Sequence, residues 1–249
     1  MVFYGGIRAL KANNYKLLLG FSTISQLGYI AIGVGSGSKY GYIGAIFHII
    51  AHALAKTTLF IGSANFNKEY LSDYINKFRS VLKRQKLNSI ITTVCFVTLM
   101  GFPLLAGYNS KYLIKYGFEG RVLFSSLFHL TSIITYLYGI RFLWVLYFKD
   151  KKIKWRNIFC LQNCKKIFIE QETKGNHPLK ISNKISLIIP VIFIIILGIF
   201  PNSLLTIINK KTYNFHLING LILNLIYLFI ASRLFFVDQF IVYNFIQDN

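Results

Sequence analysis

Acidic side chains are what this sequence has least of: 8 Asp and Glu stand against 28 Lys and Arg in 249 residues. Charged residues of both signs reach only 14%, where a soluble domain carries about 25%. With 54% hydrophobic residues and a mean hydropathy of +0.50, the composition excludes an ordinary soluble domain. Cysteine is scarce as well. Cys95 lies in an apolar run, and Cys160 and Cys164 lie in a basic segment. That C-x3-C spacing has a single histidine nearby, His177, so ordinary thiols on the reducing side are expected and no metal site. GVGSGS at 33–38 follows an apolar run and has no lysine where a phosphate loop would need one. No nucleophile arrangement, haem-ligand pattern or flavin fingerprint occurs. The chain is therefore expected to carry no cofactor and no catalytic residue. MVFYGGIRALK has basic residues but no short apolar run followed by a small-residue cleavage site, so no signal peptide is expected.

What the sequence does have is long apolar blocks, at 17–35, 40–62, 87–107, 122–148, 185–208 and 215–237. Each approaches or exceeds the roughly 20 residues that cross a bilayer as a helix. Only a backbone with all its hydrogen bonds made tolerates hydrocarbon. The expected fold is thus all-α, a polytopic membrane helix bundle of about six spans. MGFPLLAG interrupts the third block. Pro103 removes one backbone donor and Gly101 and Gly107 loosen the turn, so this is either a broken helix lining a cavity or a plain exit from the membrane. The fifth block is almost pure Ile, Phe and Val, with Pro190 early and Pro201 late, and reads as lipid-facing.

The basic residues are unevenly placed. Residues 63–86 hold six basic and two acidic residues, and 149–184 hold ten and three. The intervening loops are poorer. The positive-inside rule then puts both termini and both rich segments on the cytoplasmic side, with 149–184 a basic cytoplasmic loop facing anionic lipid. Its IFCLQNCKKIFI stretch suits a short surface helix. Placed this way, the charge needs no nucleic acid to explain it.

The candidate functional residues lie inside HIIAHALAKTTLF. His48, His52 and Lys56 recur every fourth residue, about 6 Å apart along a helix, on one broad stripe. Histidine exchanges protons near neutral pH, and buried charge usually lines a cavity or pairs with something. The stripe is therefore a candidate proton pathway. The alternative is that Lys56 snorkels to the interface and the histidines are neutral core residues. The neighbouring block places Ser22, Thr23, Ser25 and Gln26 within five residues, suited to interhelical hydrogen bonds or to water. Lys16 precedes it, as an anchor or as part of the path. His129 and Arg141 are the ionisable groups of the fourth block, and Arg141 is expected to reach the interface. No block holds Asp or Glu in its core, which leaves a buried lysine without a carboxylate from this chain's spans.

ALKANNYKLLLGFSTISQLGYIAIGVG, GAIFHIIAHALAKTTLFIGSAN and GFPLLAGYNSKYLI, in that order, resemble the antiporter-like membrane subunits of complex I and of multisubunit cation/proton antiporters. The likeness covers roughly residues 5–148 and is strongest to the D-type membrane component of the antiporters; it also extends to subunits L, M and N of NADH-quinone oxidoreductase. It implies a proton-conducting bundle in which His48, His52 and Lys56 match the polar axis and Lys16 matches the basic residue before the STISQLGY-like helix. Pro103 and Lys111 fall on a GxPxxxGFxSK-like segment. The family's later broken helix often carries a central lysine or glutamate, and the span matched to it here offers His129. Family members have about twice as many spans, and their earlier half supplies a glutamate–lysine pair. The resemblance therefore implies a C-terminal partial chain in the cell inner membrane. Its expected function is that of a Na+/H+ antiporter subunit, with a proton-pumping complex I subunit, or a non-conducting structural subunit or truncated gene product, as alternatives. The implied partners are other membrane subunits, including a separate chain supplying the missing half.

Overall fold

The computed structural model describes residues 1–78, 81–148, 181–209 and 221–234. Every regular element there is helical: α1 Val2–Lys11, α2 Tyr15–Gly35, α3 Lys39–Tyr70, α4 Val81–Arg84, α5 Lys86–Met100, α6 Ala106–Tyr116, α7 Val122–Phe148, α8 Ile181–Ile199, α9 Pro201–Asn209 and α10 Leu221–Leu234, with one 3-10 turn at Ile75–Lys77. The 149–184 loop lies largely outside the described residues, as do Cys160, Cys164 and His177.

The all-α membrane bundle agrees with the sequence, but the count of spans does not. Among the described residues four helices, α2, α3, α7 and α8, are long and apolar enough to cross a membrane, and α5 and α10 are shorter apolar helices. The third apolar block yields the 15-residue α5, because the chain turns at Gly101 (φ 87°). There the Gly101 amide donates to Thr98 O and the Phe102 amide to Val97 O, the reversal that ends many helices. Pro103 sits in the link, Leu104 takes φ 72°, and α6 restarts at Ala106. Gly107 then packs against α5 so closely that a Cβ would lie 1.9 Å from Thr98 O. The fifth block is divided too: α8 ends at Ile199, and Pro201 opens α9 at the position where its missing N–H costs nothing. The sixth block is described as the helix Leu221–Leu234.

α3 is the central element. Ser38 caps its start by accepting from the Tyr40 and Gly41 amides. It does not end near Gly62 but continues to Tyr70, where Leu71 in the left-handed region stops it. Its 32 residues make it about 48 Å long, well beyond the hydrocarbon thickness of about 30 Å. α2 and α6 pack along it, α5 meets its far end, and α8 runs beside it from Asn65 back to Phe47. At that end the chain is laced to the start of α2: the Tyr15 amide donates to Asp73 O (2.8 Å) and the Ile75 amide to Asn13 O (2.9 Å). Tyr15, Phe66, Phe78, Phe96 and Phe142 form an aromatic core beside it, with Tyr15 stacked on Phe142 at 4.6 Å.

The short α1 was not anticipated, and it supplies the partners of Arg141. That guanidinium reaches the exposed link between α1 and α2, donating to Asn13 Oδ1 at 2.9 Å. It donates to Leu10 O and, at 2.9 Å, to Ala12 O, holding the carbonyl end of α1 against α7. A cation at a helix C-terminus offsets the partial negative charge there.

Candidate functional site: a buried polar row

His48, His52 and Lys56 all lie inside the protein, where α3 faces α2 and α6. The snorkelling alternative for Lys56 does not hold in the fold. Its amine turns inward and donates to Leu19 O (2.8 Å) and Ser22 Oγ (2.6 Å). Ser22 in turn donates to Leu19 O at 2.9 Å, so the hydroxyl is free to accept from the lysine. These contacts use two of the three donors of an ammonium.

One turn toward α6, the His52 ring stacks 6.2 Å from that of His48, and its Nδ1 has no partner among the described atoms. His48 is held on both sides. Its Nδ1 is 2.8 Å from Ser110 Oγ on α6, and its Nε2 is 3.1 Å from Gln26 Oε1 on α2. Counting hydrogens is informative here. Ser110 donates its one hydrogen to Gly107 O (3.0 Å), and Gln26 donates from Nε2 to the Tyr138 hydroxyl (3.2 Å). Both ring nitrogens of His48 then face acceptors, which a doubly protonated ring satisfies. A neutral ring satisfies them once the Gln26 amide turns over. Gln26 is thus placed to follow the proton state of His48.

Ser110 leads to Lys111, whose side chain is also buried. Its amine crosses back to the broken end of α5, donating to Leu99 O at 2.7 Å and lying 3.5 Å from Met100 O. It also lies over the Tyr29 ring at 4.6 Å, and Tyr29 is 6.1 Å from the His48 ring. The break with a lysine beside it is therefore α5–α6, and the residue is Lys111; His129 lies on the unbroken α7. The sequence placed Lys111 on a family-like segment, but only the reversal at Gly101 brings its amine to the row.

The other expected residues are elsewhere. Lys16 is about half exposed (52%) and pairs with Asp73 at 3.0 Å, outside the row. His129 hydrogen-bonds the Tyr227 hydroxyl of α10 through Nδ1. It lines a cavity of about 660 Å³ that also takes in Lys111, Lys115 and Tyr108. Gly101 and Pro103 lie between α5 and α6, and Gly107 makes the close contact between the two helices.

Comparison with known proteins places this geometry. The family described as NADH:quinone oxidoreductase/Mrp antiporter, transmembrane, matches residues 1–135. Subunit N of the NADH-quinone oxidoreductase of Desulforamulus reducens is 27% identical over 85% of this chain and 40% of its own length. The corresponding subunit of Dehalococcoides mccartyi is 28% identical over 84% and 40%. Among solved structures, respiratory complex I from Thermus thermophilus superposes with a TM-score of 0.68 at 18% identity, over 93% of this chain and 42% of the other. The chain thus spans about 40% of the length of these curated relatives. On the family match, the chain belongs to the membrane subunits of the NADH:quinone oxidoreductase/Mrp antiporter family.

Proposed function

We infer that this chain is the proton-translocating part of a membrane subunit in a complex I-related assembly, and that the row Lys56, His52, His48 and Lys111 carries the proton. The observation behind this reading is the His48–Ser110 contact. It joins the protonatable stripe of α3 to a buried lysine at a helix break. Each member of the row can hold a proton, and the serine and glutamine between them can reorient to pass one. The break at Gly101 supplies freed carbonyls that hold the lysine at the end of the row. The cavity shared by Lys111, Lys115 and His129 leads onward from that lysine.

Sequence features alone favoured a Na+/H+ antiporter. The relatives carry quinone-oxidoreductase names, and this moves the complex I-like reading ahead. The antiporter reading stays second, supported by the family's own description. In either assembly, redox centres and further membrane subunits belong to partners, and the basic segments face anionic lipid. Lys56 meets a carbonyl and a hydroxyl rather than a carboxylate. A carboxylate facing it would come from a partner or from the part of the relatives that this chain does not match.

The test is proton transfer in membrane vesicles carrying the assembled complex. Ser110→Ala breaks the join between α3 and Lys111 and is expected to slow transfer while assembly persists. Unchanged transfer in a fully assembled Ser110→Ala complex would remove the observation on which the row rests.

A further inference from the structure

A second polar track runs down the opposite side of α3. Thr58, Gly62, Asn65 and Glu69 follow at steps of four, three and four residues, one face of a helix, turned toward α5. α5 answers with Gln85, Asn88 and Thr92. Asn88 donates to Gly62 O (3.0 Å) and to Gln85 Oε1 (3.0 Å), and Gln85 donates to Asn65 O (3.0 Å). Asn183 of α8 closes the seam by donating to Asn65 Oδ1 at 3.1 Å.

These bonds leave many polar atoms over. Asn65 Nδ2, Glu69 Oε1, Asn88 Oδ1, Thr92 Oγ1 and the Tyr15 hydroxyl are buried with no hydrogen-bond partner among the described residues. The Tyr15 hydroxyl lies beside Thr92 without a hydrogen bond of normal length to it. Buried polar groups are nearly always satisfied, and where protein does not do so, water does. Five such atoms along one seam, both donors and acceptors among them, describe a file of water sites rather than one isolated defect.

The seam also contains a carboxylate. Glu69 is 2% exposed, and its Oε1 is 3.7 Å from Arg84 Nη1; Arg84 itself reaches the outer surface. The sequence placed no acid in any span because α3 was expected to stop near Gly62. Thr92 lies against Gly62, seven residues before Glu69, so the run of unpartnered atoms spans about 10 Å. Its inner end, at Tyr15 and Thr92, is one turn of α2 from Leu19, whose carbonyl takes the Lys56 amine.

We propose that the α3–α5 seam is a water-filled branch of the proton path, with Glu69 as the proton-exchanging group at its outer end. A proton from bulk water joins the Glu69 carboxylate. It then leaves to the file of waters and restores the carboxylate, so no electron or further reactant is needed. This inference rests on the proton-transfer reading above, and its tests are arranged to fail separately.

Hydroxyl-radical labelling of the wild-type complex reads the water directly. Tyr15 is expected to oxidise as readily as the exposed Tyr4, while Phe142, stacked on Tyr15, stays unmodified. Thr92→Val keeps the side-chain shape, removes one polar wall and is expected to bring Tyr15 down to the Phe142 level. Glu69→Gln is expected to slow proton transfer in assembled complex. A Tyr15 as inert as Phe142 in the wild type overturns the proposal. So does full transfer in Glu69→Gln when Lys56→Ala has lost it, an outcome that leaves the row standing. Full transfer in both variants overturns the row itself and the branch with it.

Discussion

Replacing Lys56 by Arg separates the need for a charge from the need for an exchangeable proton. Both side chains are cations with donors enough for Leu19 O and Ser22 Oγ, now at 2.8 and 2.6 Å from the lysine amine. A guanidinium does not give up its proton in a protein. If Lys56 only anchors α3 to α2, Lys56→Arg keeps function. If Lys56 hands on a proton, Lys56→Arg and Lys56→Ala fail alike. Stability is not expected to decide the outcome. Hydrogen bonds to a charged group contribute about 1.5–3 kcal/mol each, but removing the buried cation also removes a desolvation cost of several kcal/mol. For Lys56→Ala these terms offset, so the complex assembles. The relay does not survive, because successive stripe positions are about 6 Å apart, and a missing member leaves a gap that a single hydrogen bond of about 3 Å does not span. The expected fall in transfer rate is at least about 100-fold, the lower end of what a positioned acid–base group contributes. The assay is the initial rate of acidification in vesicles, normalised to assembled complex. Transfer in Lys56→Arg within about twofold of wild type, well short of the 100-fold expected, would refute a proton-carrying Lys56.

Three further outcomes follow from the same geometry. Lys16→Ala removes an exposed ion pair with Asp73; it is expected to cost under about 1 kcal/mol in a thermal melt and to leave proton transfer unchanged. Gly107→Ala drives a Cβ to 1.9 Å from Thr98 O, so the α5–α6 contact must open, with a loss of about 1–3 kcal/mol and a lower melting temperature of the assembled complex. Gln26→Leu removes the acceptor facing His48 Nε2; transfer is expected to slow, and normal transfer would show that Gln26 need not follow the proton.

The His48–His52–Lys56 stripe was readable because helical periodicity alone puts every fourth residue on one face, and here that face is buried. The break was readable too, since Gly101 and Pro103 are backbone instructions. What escaped was whatever depends on how far a helix runs and what meets it. Asn67, Lys68 and Glu69 look like a loop, yet α3 continues through them because α5 and α8 offer Gln85, Asn88 and Asn183 to its polar face. That extension is what buries Glu69. The partners of Arg141 were not legible, because α1, at ten residues, is too short to register as a span and its carbonyl end could not be foreseen. Lys111 needed the reversal at Gly101, a fact of three dimensions, before its amine could meet Leu99 O.

The Lys111 amine lies on the last carbonyls of α5, beside the hydrogen-bonded reversal at Gly101. A cation against the last carbonyls of a helix contributes about 0.3–1 kcal/mol, and up to about 2 when partly buried. If Lys111 hands on a proton as proposed, the neutral amine would no longer hold that end with charge, and the turn at Gly101 and Phe102 would loosen until a proton returned. On that proposal the latch and the cargo would be one hydrogen ion. Amide exchange at Gly101 and Phe102 should therefore quicken in Lys111→Met, and exchange at the wild-type rate would show that the latch does not depend on charge.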